Sequence, residues 1–224
     1  MHLILLGAPG SGKGTQAELL AKRLGYTHLA TGDLFREAVR GGSELGRLAQ
    51  SYMERGALVP DEVTIGLVRE RLERANPTAQ IVFDGYPRKW VQARALDELL
   101  ASRGEKIDAV ILLNVSTPIL VERLSGRWVC RAQGHNYHLA FHPPRVAGVC
   151  DVDGAELYQR DDDRPEVVQR RIAVFLREIV PLIAYYGAQG VLHEIDGAQE
   201  IEAVHRQILS VGGIPKAGSP PRPA

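Results

Sequence analysis

Short, wholly apolar runs alternate along this chain with stretches of helical period. Residues 3–6 read Leu-Ile-Leu-Leu and end in Gly7, as expected of a strand buried on both faces. After a glycine-rich turn, Ala17, Leu20, Ala21 and Leu24 recur at helical spacing, which predicts an amphipathic helix. Further buried-strand candidates lie at 27–30, 80–83, 109–115 and 191–195. Over 90–103, Ala93, Leu96, Leu99 and Leu100 share one helical face; from Pro165 onward, Val168, Ile172, Phe175, Leu176, Ile179 and Ile183 share another. Thr117 followed by Pro118 reads as an N-cap with proline at the first helical position. Strands alternating with helices predict an α/β fold whose parallel sheet is covered on both faces.

Two segments break the rhythm. Residues 31–60 read as all-helical. Residues 126–163 are rich in Gly, Pro, His and Cys and lack a helical period; an insertion of that length is expected to be functional, as a lid is. Residues 212–224 are rich in Pro and Gly and are expected to be a disordered tail. Lys plus Arg and Asp plus Glu number 27 each. No global positive field therefore draws the chain to nucleic acid or an anionic membrane, and a polyanionic ligand would need a local basic cluster. No apolar run approaches the ~18 residues of a membrane span. The first residues lack the basic flank of a signal peptide. Two cysteines, Cys130 and Cys150, make no secreted disulfide framework. A cytoplasmic compartment is expected.

The candidate chemistry starts at the first turn, Gly7-Ala8-Pro9-Gly10-Ser11-Gly12-Lys13-Gly14-Thr15. Glycines let successive N–H groups turn inward on phosphate oxygens. The helix that follows adds a partial positive charge, and Lys13 a full one. The common phosphate loop carries Ser or Thr directly after its Lys. Here Gly14 stands there, and the hydroxyl comes one residue later, at Thr15.

That loop is one of several motifs in register: Thr31-Gly32-Asp33, then Asp84-Gly85-Tyr86-Pro87-Arg88 with Gln92, then Gly126-Arg127, and Arg160-Asp161-Asp162-Asp163 followed by Arg171. In this order and spacing, over residues 1–209, the sequence resembles the adenylate kinase family of nucleoside monophosphate kinases, long-lid type. The resemblance implies a three-layer P-loop fold with a five-stranded parallel sheet. Its core would comprise residues 1–30, 60–125 and 164–211, with an AMP-binding helical segment at 31–59 and a lid at 126–163. It implies a monomeric phosphotransferase acting on the small molecules ATP, AMP and ADP: the γ-phosphoryl of Mg·ATP passes reversibly to AMP, giving two ADP. Gly10, Ser11, Gly12, Lys13, Gly14, Thr15, Arg123, Arg127, Asn136, Tyr137 and Gln199 would bind ATP. Thr31, Arg36, Ala57, Leu58, Val59, Gly85, Tyr86, Pro87, Arg88, Gln92, Arg160 and Arg171 would surround AMP. Lys13, Arg88, Arg123, Arg160 and Arg171 would be catalytic, while Asp33 and Asp84 would hold Mg²⁺ through water.

The residues support this chemistry in their own right. Arg88 and Asp84 follow a buried strand, at the carboxyl edge where α/β sheets bind ligands. The Gln92 amide offers a donor and an acceptor to an adenine edge. Arg123 and Arg127, four apart on one predicted helix, share a face. Several guanidinium groups in a dry site stabilise the charge of a transferring phosphoryl group, and no general base is needed, because the attacking phosphate oxygen is already largely ionised. Asp162 and Asp163 can pair with lid arginines and hold a hinge. Tyr86 and Lys89 depart from the family's usual Phe and Thr, which bears on packing around AMP. A related kinase with another acceptor or donor, or a P-loop nucleotide switch, are the alternative functions.

Many family members bind a structural Zn²⁺ in the lid through Cys-x-x-Cys and Cys-x-x-Cys or Cys-x-x-Asp. Here Cys150 and Asp153 keep the second pair, but Gln133 stands where the partner of Cys130 would be. His135 lies two residues further on, so Cys130, His135, Cys150 and Asp153 form a set of acceptable ligand types. A metal-free lid with two buried thiols, or a disulfide, are the alternatives.

Overall fold

Side chains of β1 (His2–Gly7) alternate between two cores, as the pleat of a strand requires. Ile4 and Leu6 join Phe83, Val110, Leu100 and Tyr186 on one side; Leu3 and Leu5 join Ala17, Leu20, Ile111, Val204 and Ile208 on the other. This is a computed structural model, and it describes residues 1–211 and Ile214. The tail expectation for 212–224 falls, apart from Ile214, outside the described residues.

Behind β1 come α1 (Lys13–Leu24), β2 (Thr27–Ala30), α2 (Thr31–Arg40), α3 (Glu44–Met53), α4 (Asp61–Glu73), β3 (Ile81–Asp84), α5 (Trp90–Ala101), β4 (Ile107–Asn114) and α6 (Thr117–Ser125). Three short strands follow: β5 (Arg127–Cys130), β6 (Asn136–His138) and β7 (Leu157–Tyr158). A 3-10 turn at Asp161–Asp163 leads into the long α7 (Pro165–Ala188), then β8 (Leu192–Asp196) and α8 (Ile201–Ser210). The five long strands form a parallel sheet in the order β2-β3-β1-β4-β8, the fold class expected from the alternation of elements. Ala30 pairs with Asp84, Leu5 with Asp84, and Gly7 with Leu113. The carboxyl ends of β1, β2 and β3 therefore meet at one edge, and the phosphate loop springs from it.

Residues 31–60 contain α2 and α3 and no strand. Residues 126–163 form a separate antiparallel sheet, β6-β5-β7, whose strands are too short to show a period in the sequence. Two local expectations need correction. The cap of α6 is Ser116, with extended backbone; its carbonyl accepts the first intrahelical bond, from Leu120 N, at 3.0 Å, so Pro118 stands second in the helix. Arg123 and Arg127 also do not share a helical face. The helix stops at Ser125, where the His138 ring passes so close to Gly126 that a β-carbon would sit 2.4 Å from it, and Arg127 opens β5.

Candidate active site

The phosphate loop and the first turn of α1 form a cradle. Gly12, at φ 96°, is the N-cap of α1, a left-handed conformation that favours glycine. The first N–H groups of a helix lack intrahelical partners. Lys13 folds its ammonium across the loop, donating to Gly7 O at 2.7 Å, Ala8 O at 2.9 Å and Ser11 Oγ at 3.5 Å. Burial lowers its pKa to about 8; Asp84 works against that shift, while Arg88, Arg171 and Arg127 add to it. The ammonium is thus poorly solvated and surrounded by like charge, a setting that an incoming polyanion relieves.

Asp84 ends β3 facing this loop. Burial would raise its pKa, but a hydrogen bond to His28 and the charges of Lys13, His28 and Arg88 hold it below the usual carboxylate range. His28 Nε2 lies 3.3 Å from Asp84 Oδ2. For the imidazole, burial opposes protonation, yet Asp84, Asp33 and Glu18 raise its pKa. The absence of a side chain at Gly14 leaves room beside Asp84, whose Oδ2 would lie 3.5 Å from a β-carbon there.

Gly85 and its neighbours gather several of the residues expected to surround AMP. Thr31 Oγ1 donates to Gly85 O at 2.9 Å, and Arg88 Nε donates to the same oxygen at 2.7 Å. Arg88 is exposed, yet desolvation by the surrounding protein lowers its pKa despite Asp84. Arg36 hydrogen-bonds Asp33. Ala57 N–H caps back to Tyr52 O at 3.0 Å, Val59 is buried with Phe35 and Ala49, and the chain at Gly56 rests against Arg171 and Val167 of α7. Gln92 is buried; its Oε1 accepts Arg88 N–H and its Nε2 donates to Asp61 Oδ1, both at 2.8 Å. Tyr86 is buried and donates its hydroxyl to Gln92 O at 3.2 Å.

The arginines converge on the Asp161–Asp163 turn. Arg127 pairs with Asp163 through a 2.5 Å and a 2.8 Å contact. Arg160 Nε reaches Asp162 at 3.2 Å, and Arg171 reaches Asp162 at 3.1 Å and Asp163 at 3.2 Å. Burial lowers the Arg171 pKa to about 10, against the pull of Asp162. Burial raises the Asp162 pKa, but Arg171, Arg160, Arg127 and Arg36 outweigh it and drive the carboxyl far below its ordinary range. Asp162 and Asp163 thus occupy guanidinium groups of Arg127, Arg160 and Arg171. Of the two aspartates, Asp163 pairs with an arginine of the 126–163 segment, Arg127, while Asp162 pairs with Arg160 and Arg171.

Arg123 lies on the other flank, bonded to Gly197 O at 2.8 Å and Ala198 O at 3.2 Å, beside Gln199. Asn136 extends from β6 to α1 and donates to Glu18 Oε1 at 3.0 Å. Tyr137 stands apart from the predicted ATP residues. Its ring is buried with Cys130, Cys150 and Leu157, and its hydroxyl lies 3.4 Å from Cys150 Sγ.

Within residues 126–163, two equivalent turns face each other. In one, Cys130 N–H bonds His135 O and Gly134 N–H returns to Cys130 O; in the other, Cys150 N–H bonds Ala155 O and Gly154 N–H returns to Cys150 O, all at 2.8–3.0 Å. One donor atom from each of Cys130, His135, Cys150 and Asp153 lies within 4.8 Å of the others. Cys130 Sγ is 3.2 Å from Asp153 Oδ2, His135 Nδ1 is 3.3 Å from Cys150 Sγ, and His135 Nδ1 is 3.4 Å from Asp153 Oδ2. A tetrahedron with ~2.0–2.3 Å metal–ligand bonds has edges of roughly 3.3–3.8 Å, so this set fits Zn²⁺. Gln133, standing in the usual ligand position, directs its backbone N–H to Cys130 Sγ at 3.4 Å. Both thiols are free.

His28, Asp61 and Glu18 did not emerge from the sequence. His28 sits in an ordinary strand pattern and meets Asp84 only because β2 and β3 are neighbours. Asp61, after Pro60, reads as a first-turn helix acid.

Comparisons with known proteins agree with this geometry. The adenylate kinase family model matches residues 5–191. The chain is 48% identical to an adenylate kinase of Listeria monocytogenes serotype 4a over 91% of this chain and 95% of that one. It is 50% identical to an adenylate kinase of Brevibacillus brevis over 94% and 99%, and 44% identical to one of Staphylococcus aureus over 94% and 98%. A phosphate loop with its lysine, a carboxylate at the end of β3, and arginines gathered from β5, the Asp161–Asp163 turn and α7 thus coincide with near full-length similarity: the chain belongs to the adenylate kinase family.

Proposed function

We propose that the arginine-lined cleft between the phosphate loop and Gly85 carries out the family's reaction, ATP + AMP = 2 ADP, with the roles that follow. The observation that carries it is the convergence of Arg127, Arg160 and Arg171 on Asp162 and Asp163, an array of donors already spaced to receive a phosphoryl group. The N–H groups of Gly10 to Thr15, with Lys13, bind the ATP phosphates; Arg123, Arg127, Asn136 and Gln199 flank them. Thr31, Arg36, the 57–59 segment, Gly85, Arg88 and Gln92 bind AMP. Arg88, Arg160 and Arg171 neutralise the charge that develops between the two nucleotides. Mg²⁺ bound with ATP would neutralise phosphate charge, and Asp84 and Asp33 would hold it through water. An AMP phosphate oxygen attacks in line, so no side chain need remove a proton.

Residues 126–163 act as the lid and 31–59 as the AMP-binding segment. Closure excludes the water that would otherwise compete for the phosphoryl group. The Asn136–Glu18 hydrogen bond is a contact through which the lid meets α1. Cys130, His135, Cys150 and Asp153 hold one structural Zn²⁺, supported by donor spacing and chemistry; elemental analysis of protein expressed with zinc and purified without chelator should give one equivalent, and metal-free protein would refute this. The enzyme works as a cytoplasmic monomer, in keeping with two free thiols; no helix among the described residues is long and apolar enough to cross a membrane.

Turnover of ATP·Mg with a panel of AMP, UMP, CMP and GMP tests the acceptor. AMP should be strongly preferred. Faster turnover with another monophosphate would transfer the assignment to a sister kinase.

A further inference from the structure

We propose that Asp61 decides which base the acceptor pocket takes, by locking the Gln92 amide in one of its two orientations. Asp61 opens α4 and Gln92 lies in the first turn of α5; the two helices pack together. Gln92 Nε2 donates to Asp61 Oδ1, and Gln92 Oε1 accepts Arg88 N–H. A carboxylate can only accept and a backbone N–H can only donate. The flipped amide would set oxygen against oxygen and N–H against N–H. Gln92 is 2% exposed, so water cannot relieve that mismatch.

Each end of the amide is used once. A primary amide has two N–H groups and two oxygen lone pairs, so one donor and one acceptor remain, in fixed order. Adenine offers the complement, an accepting ring N1 beside a donating 6-amino group. A 6-oxo purine offers the reverse and would need the flipped amide. Lys89 Nζ holds the other oxygen of Asp61 at 3.1 Å, and the Tyr86 hydroxyl fixes the backbone of Gln92. The two departures from the family pattern thus both brace the lock. This role rests on Gln92 facing the adenine edge, as proposed above.

IMP is the probe, because it differs from AMP only at that edge. kcat/KM for AMP and for IMP, with ATP·Mg as donor, is measured in the wild type, Asp61→Asn, Lys89→Met and Gln92→Leu, together with KM for ATP and the unfolding midpoint. An Asn amide can turn to meet either orientation of Gln92 and removes one of the two clashes. The AMP-over-IMP preference should then fall about tenfold, the equivalent of one unpaired buried hydrogen bond, with KM for ATP unchanged. Lys89→Met keeps the carboxylate and should give a smaller fall, which serves if Asp61→Asn does not fold. Gln92→Leu should weaken AMP and spare ATP. If it does so while the preference is unchanged in both other variants, the role of Asp61 is overturned and that of Gln92 stands. If Gln92→Leu weakens both nucleotides equally, the assignment of Gln92 itself fails.

Discussion

Around the parallel sheet, two layers of fully buried side chains, with Ile4, Phe83, Leu100 and Val110 on one face and Leu3, Leu5, Leu20 and Ile111 on the other, hold the core together. In the lid, the one buried cluster consists of Cys130, Tyr137, Cys150 and Leu157, while Leu139, Phe141, Val146 and Val152 are exposed. Apolar burial is worth ~1.5–3 kcal/mol for each large side chain, so the core is stable by its own packing. A sheet of three short strands over one small buried cluster is not. Its two cysteine turns face each other across a ligand set, and a metal there would supply what packing does not. The contrast matches the proposed tasks, in which the core holds charges at fixed distances and residues 126–163 close over them as one piece.

The sharpest break between the two regions should come at the phosphate loop. Lys13→Ala removes a positive charge from the transition state while leaving both apolar layers intact. We expect kcat to fall by at least ~10²–10³-fold, the scale of losing one preorganised donor, with no loss of folded stability. Near-normal turnover would remove Lys13 from the chemistry.

Packing differences should appear next. Leu5→Ala opens a cavity in the core and should cost ~2–5 kcal/mol in global unfolding. Leu157→Ala, the same change in the lid, should leave global unfolding nearly untouched and speed local hydrogen exchange across residues 126–163. Equal global losses, measured by chemical denaturation, would show that lid and core unfold as one unit.

Chelation sharpens the contrast from the other side. Removing zinc should lower the melting temperature and loosen the lid, while turnover at moderate temperature persists, because the cluster uses none of the nucleotide-binding residues. His135→Ala should reduce zinc affinity; full retention of zinc in that variant would put another residue in the fourth ligand position.

The smallest effect is a pH dependence. In the folded protein the Lys13 pKa is lowered from 10.5 to about 8. Below that value the charged ammonium carries its full desolvation penalty. As pH rises toward 10.5 the folded state releases this proton before the unfolded state does, so the unfolded state binds more protons and stability rises with pH. Lys13→Met lacks this term. Its stability relative to ligand-free wild type should therefore be highest near neutral pH and decline between pH 8 and 10.5; a constant difference across that window would contradict the shift.

Much of this was legible in the chain. Apolar runs gave β1, β3 and β4 because these central strands are buried on both faces and need no polar alternation; the edge strands β2 and β8 are only partly buried. The phosphate loop was legible because its glycines and Lys13 are contiguous. The lid's strands were not, since three pairs of residues between β5 and β6 and two between β5 and β7 leave no periodic trace. The end of α6 was misjudged by two residues, because the crowding of His138 onto Gly126 comes from the partner strand β6. His28 and Asp61 were hidden for the same reason: each acquires its role from a neighbour that only the packing of β2 on β3, or of α4 on α5, supplies.

Phosphorus NMR of the protein with ATP, AMP and Mg²⁺ tests the central claim most directly, because it follows the γ-phosphoryl group to its destination. The cleft described here predicts that ATP and AMP signals decline together, that two ADP appear for each ATP consumed, and that no inorganic phosphate accumulates. One ADP and one inorganic phosphate per ATP, with AMP unchanged, would show that water is the acceptor and would contradict it.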